Sequence, residues 1–118
     1  MNRQPEPQAL RVPNVQFLCE QDGAPERLLK TRLAELFMHE KAVQRAYLAQ
    51  IRAGEQAGVA LCIKAISGQE KSLAQKVGAI FAAIFGAHEH LDILFLSDIQ
   101  EASLKSVCSS FFSASADR

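Results

Sequence analysis

Residues 59–66, VALCIKAI, constrain the fold more than any other stretch, because Lys64 is the only charged side chain among them. A run this apolar has no polar face to turn toward water. It reads as a central strand covered on both sides, so the sheet that holds it needs packing above and below. Leu73, Val77, Ile80 and Ile84 then recur at helical spacing over 70–85, and LDILFL at 91–96 is again apolar enough for a buried strand. A strand, a crossover helix and a second strand make a parallel pair inside one sheet.

The segments around this unit supply the rest. Asp22 and Gly23 favour a turn, and Pro25 suits the first turn of a helix over about 25–38. That helix carries Leu29, Leu33 and Leu36 on one stripe, widened by Leu28 and Phe37. In AVQRAYLAQI, Val43, Tyr47, Ala49 and Ile51 are expected on one side of a strand, with Arg45 interrupting them and Ala46 and Leu48 opposite. RAGEQAG (52–58) is expected to be a hairpin loop of moderate length. VQFLCEQ (15–21) alternates and suits either a short edge strand or an extended lead-in. Ser67 with Glu70 has the spacing of a capping box, and Gly86 that of a residue just past a helix end. Ala74, Gly78 and Ala82 form a stripe of small residues, expected to mark close approach to a neighbouring element. Ser97 and Asp98 can cap a short helix through about Val107, and CSSFFSA (108–114) can follow as a last edge strand.

The expected fold is α+β: a single small domain with a mixed sheet of about four strands packed by helices, in the order α-β-β-α-β-α-β. Residues 1–23 are expected to be a tail and lead-in, and 24–118 the domain. A length of 118 residues suits one domain with a real core.

Thirteen basic and thirteen acidic residues cancel. A neutral domain has no general field for phosphate backbones, which argues against nucleic acid as a partner. The N-terminal segment lacks the apolar region of a secretory signal, and no run of 18 apolar residues suggests a membrane span. Cys19, Cys62 and Cys108 are far apart and form no CxxC pair, as expected for reduced thiols in a cytoplasmic protein.

Few residues suggest chemistry. GAHEHLDIL (86–94) sets His88, His90 and Asp92 at alternate positions, and His39 could add a further metal ligand. The competing reading is a solvated connector at the domain rim, favoured by Gly86. No cofactor is expected. Cys62 lies mid-strand, where burial opposes the thiolate, while Cys108 is better placed for exposure but has no base nearby in sequence. ISGQEKS lacks the glycines and the ending of a phosphate-binding loop, and Glu35, Glu40 and Glu55 have no defensible acid–base spacing. Arg45 and Tyr47 share a strand face and would form a protein- or peptide-recognition surface if helices leave that face open. The alternative is an aromatic ring packed against an arginine stem. A homodimer through sheet or edge pairing is a further expectation.

LAELFMHEKAVQRAYLAQI (33–51), the apolar strand after it, KSLAQKVGAIFAAIF and HLDILFL together resemble the C-terminal domain of SseB, the enhanced serine sensitivity protein. The resemblance covers about residues 24–114 and is strongest at Ala46-Tyr47-Leu48-Ala49, with Val77-Gly78 and Leu91-Asp92 also matching. Full-length members carry a further domain ahead of this one, so the sequence looks like a free-standing version of the C-terminal module. The resemblance implies a bacterial, cytoplasmic α+β protein of uncertain role; the lack of a convincing catalytic set and the mixed sheet make a non-catalytic binding or regulatory module the leading expectation. A small metal protein or enzyme, or a structural component, are the alternatives. It brings no catalytic residues to carry over.

Overall fold

A computed structural model describes residues 15–66, 70–86, 88–89 and 91–114. In chain order these form β1 (Val15–Glu20), α1 (Ala24–Phe37), β2 (Val43–Ala53), β3 (Gln56–Ala65), α2 (Glu70–Phe85), β4 (Asp92–Phe95), α3 (Asp98–Lys105) and β5 (Phe112–Ser113). The strands make one mixed sheet in the order β1-β2-β3-β4, with β5 also paired to β2. The expected α+β class holds, and β4 lies parallel to β3 through the α2 crossover. All other pairings are antiparallel.

Of the two readings of residues 15–21, the strand is the one formed. β1 pairs with β2 from Val15 opposite Ala53 to Glu20 opposite Ala49. The sheet therefore begins ahead of residue 24, and the segment is no mere lead-in. β5 lies on that same edge of β2, farther along. The Gln21 amide donates to the Leu48 carbonyl (2.9 Å), and the next outward carbonyl of β2, that of Ala46, accepts from the Phe111 amide (2.9 Å). β1 and β5 are thus collinear segments laid end to end along one strand. The Ser109 amide, donating to the Glu20 carboxylate (3.3 Å), bridges the joint.

Two expectations about β2 fail for backbone reasons. Residues 52–58 are not a moderate loop: the strands run on to a two-residue turn, with Ala53 opposite Gln56. Gly54, at φ 64, takes the first central position, where a tight hairpin needs a left-handed residue. Val43 does not share a face with Tyr47. The register shifts between Val43 and Arg45, and one extra residue reverses which side each neighbour points to. Val43 consequently joins Ala46 and Leu48 beneath α1 and α2, while Tyr47, Ala49 and Ile51 face the other way.

The larger core lies on the α1/α2 side. Leu29, Leu33 and Phe37 of α1 and Leu73 and Val77 of α2 close over Leu48, Leu61 and Ile63 of the sheet. Phe37 meets Phe112 edge-on, with ring centroids 5.7 Å apart, which ties β5 to α1. The opposite face carries Tyr47, Cys62 and Leu94 beneath Leu104 of α3. Ser97 caps α3, accepting from the Gln100 amide (3.1 Å) while the Gln100 side chain accepts from the Ser97 amide (2.9 Å). The corresponding signal at Ser67 lies outside the described residues. Gly86, at φ 96, ends α2 in the left-handed conformation expected of it.

The small-residue stripe is not a close-packing seam. Gly78 and Ala82 are exposed, and a Cβ built on Gly78 would meet no atom within 4 Å. The buried face of α2 is the Leu73–Val77 side, a quarter-turn away.

Candidate functional site

Two places concentrate chemistry: a charged cluster beneath α3, and a pocket beside the C-terminal half of α2.

The cluster begins with alternation in β2, which puts Arg45 and Tyr47 on the α3 side of the sheet. Helical spacing does the same from above, because Glu101 precedes the buried Leu104 by three residues. Arg45 grips the Glu101 carboxylate with two donors, Nε to one oxygen and Nη2 to the other (2.8 Å). The Tyr47 hydroxyl donates to Glu101 Oε2 at 2.6 Å. Glu101 is 5% exposed and Tyr47 1%, while the Arg45 side chain keeps 33% of its surface open, so these bonds are partly shielded from water. A two-pronged charge-assisted pair is strong under those conditions. The Arg45 bonds, supported by Tyr47, outweigh burial and hold the Glu101 carboxyl down at about 2. Its bonding to Glu101 raises the Arg45 guanidinium above its ordinary value. Burial, then the bond to Glu101, raises the Tyr47 phenol.

This arrangement settles the protonation of all three groups near neutral pH: Arg45 charged, Tyr47 neutral, Glu101 ionised and saturated. A carboxylate so held is a poor general base, and a phenol so raised a poor acid. The cluster is a clamp joining α3 to β2. Arg45 and Tyr47 do come together, but α3 covers the face, so the condition for an open recognition surface is not met. Glu101 escapes a reading of apolar stripes because it sits on one. The usable signal was a pair of interruptions: Arg45 in an apolar strand and Glu101 on the inward side of a short helix, opposite in sign.

Of the metal candidates, His39 stands apart from the residues around β4. His39 is exposed in the turn after α1, beside the end of the sheet where Val43 pairs with Ala65. His88 is exposed in the turn before β4. Asp92 opens β4 opposite Ala60, five positions or about 17 Å along β3 from that end. His90 lies outside the described residues. Among the described residues, no group of three His, Cys, Asp or Glu side chains is placed to hold a metal ion. The thiols also differ from one another. Cys62 is fully buried, and burial, then the nearby Cys108, raises its thiol. Cys108, expected to be the more accessible, is 6% exposed, donates to the Leu48 carbonyl (3.5 Å) and is pushed up to about 11 by burial. Cys19 is the exposed one.

The second place went unread in the sequence. α2 changes character along its length. Its first two turns carry Glu70, Lys71, Gln75 and Lys76, whereas residues 77–85 contain no polar side chain. Leu73 and Val77 are buried, Ile80, Phe81, Ile84 and Phe85 half-buried, and Gly78, Ala79, Ala82 and Ala83 exposed. Phe81 and Phe85 stack at 4.8 Å between centroids, forming a flat apolar wall. Between this half-helix and the start of β4 lies a cavity of about 300 Å³. Val77, Gly78, Phe81 and Ala82 form one side of it, Leu91 and Ile93 another, and Gly86 and Glu89 one end. No helix among the described residues is long and apolar enough to cross a membrane.

The family model of the SseB protein C-terminal domain matches residues 16–111. The chain belongs to that family. The match takes in β1 from Gln16 onward and ends at Phe111, whose amide bonds the Ala46 carbonyl one residue ahead of β5. Comparison with curated proteins and with solved structures gave no significant match.

Proposed function

We propose that this SseB-type domain is a non-catalytic binding module that receives a protein or peptide segment on the C-terminal half of α2. The observation that carries this reading is the apolar outward face of residues 77–85, open beside a cavity and lacking the polar side chains that a solvated helix face carries. Two further facts support it. The strongest charge constellation is consumed in holding α3, and the two buried thiols are raised in pKa, so neither offers a ready acid, base or nucleophile. The face belongs to a helix fixed by its buried Leu73 and Val77, so it is presented preformed.

Site-specific photocrosslinking tests the proposal. A benzophenone side chain at Ala82 or Ala79 should yield discrete protein adducts in cells, while the same group at Ser72, on the polar half of α2, should not. Equal, diffuse labelling from all three positions would remove the assignment.

A further inference from the structure

We infer that the segment received beside α2 is basic and apolar: one bulky apolar side chain fills the cavity, and a Lys or Arg near it in sequence reaches Glu89 and the C-terminal end of α2. This rests on the binding-module reading and adds to it the chemistry of the partner. A volume of about 300 Å³ is at the small end for a ligand site, suited to a side chain rather than a large cofactor. Its walls are aliphatic and aromatic. Among the described residues that line it, the one charged side chain is that of Glu89, which is exposed. α2 ends at the same place after sixteen residues, and its last turn holds no basic residue. The negative end of the helix dipole and the Glu89 carboxylate therefore act in the same direction. The nearest charges of opposite sign on α2 are Lys71 and Lys76, at the far half, and Lys76 is paired to Glu40 at 2.7 Å. Field and shape together favour a cation beside an apolar anchor and oppose an acidic segment. The exposed Gly78 and Ala82 let a peptide backbone lie close to the helix, since nothing stands within 4 Å of the missing Cβ of Gly78.

The test uses the whole chain, immobilised, and a random twelve-residue peptide library displayed on phage. Selected peptides should share a Leu, Ile, Met or Phe with a Lys or Arg within about three positions. Synthetic copies are then titrated against wild type, Ala82→Trp, Gly78→Leu and Glu89→Lys, after urea unfolding confirms that each variant folds. Filling the cavity with Ala82→Trp or Gly78→Leu should weaken binding at least tenfold. Glu89→Lys should weaken it about fivefold, the size expected of a partly exposed ion pair. Peptides blocked by Ala82→Trp but neutral or acidic, and indifferent to Glu89→Lys, would overturn the basic assignment and leave the binding module standing. Selected peptides that no α2 variant disturbs would overturn both. A self-associating wild type that Ala82→Trp turns monomeric in sedimentation equilibrium would also overturn the inference, by making a second copy the occupant.

Discussion

The two faces of the sheet are held by different physics. On the α1/α2 side, two long helices bring buried Leu, Phe and Val side chains onto an apolar floor. That attraction is non-directional and scales with area. On the other side, the eight-residue α3 buries Leu104 and, beside it, a carboxylate. One leucine is little to hold a helix too short to be stable alone. The capping box, the Arg45–Glu101–Tyr47 clamp and the Lys64–Asp98 pair (2.9 Å) compensate with directional contacts. The lesson is that area fixes the large layer, whereas geometry fixes the small one. The last pair is the weakest of these, because Asp98 is almost fully exposed.

The sharpest contrast should come from placing a charge in each layer's weak spot. Val77→Asp puts an unpaired carboxylate at a site with no solvent exposure. It should cost about 4 kcal/mol or more and abolish the cooperative transition. A melting temperature within about 2 °C of wild type would show that the α2 stripe is not the core.

Glu101→Ala should cost less, about 2–4 kcal/mol, because it orphans a buried hydroxyl and a guanidinium that still reaches some water. Its signature should be local, with amide exchange speeding up in α3 before it does in α1 or α2. Uniform loss of protection would mean that the two faces are not separable. The combined change Arg45→Met, Tyr47→Phe and Glu101→Leu should recover much of the loss, as apolar replacements of buried ion clusters can.

Acid should find the same difference. The Glu101 carboxyl is held down at about 2, below its ordinary value of 4.5. The folded protein therefore binds that proton less readily than the unfolded chain. The clamp's contribution is complete above pH 4.5 and is lost as pH falls toward 2. Urea midpoints between pH 6 and 2 should fall in wild type and flatten in Glu101→Gln. Parallel curves would remove Glu101 as the titrating group.

The smallest effect concerns α2. Gly78→Ala should stabilise by about 0.5–1 kcal/mol, since the position is helical, exposed and open. Destabilisation would mean that some element packs against it.

Much of the framework is legible in the sequence because its signals are strong and local. Apolar runs mark β3 and β4, helical spacing marks α1 and α2, and Ser97 and Gly86 mark helix ends. What is missed depends on backbone irregularity or on distant partners. Nothing in VQRAY announces the register shift that moves Val43 to the other face. The tight turn at Gly54 is hidden in a polar stretch that suits a longer loop equally well. Glu101 acquires its meaning only from Arg45, 56 residues away. The α2 pocket needs the spatial meeting of a helix end with the entry to β4, which periodicity alone does not supply.

The end-to-end joint along β2 bears on how the chain assembles. Glu20 and Ser109 meet across 89 residues, and Phe111 reaches back to Ala46. During synthesis, β2 and β3 leave the ribosome before residues 111–114 do. Throughout that interval the carbonyls of Gln44 and Ala46 wait for the Ala114 and Phe111 amides that will bond them. A nascent domain of this design carries a temporary open edge, the kind of surface that invites strands from other chains. Its vulnerability to misassembly should therefore last until β5 docks, and be greater on polysomes than in refolding of the finished polypeptide.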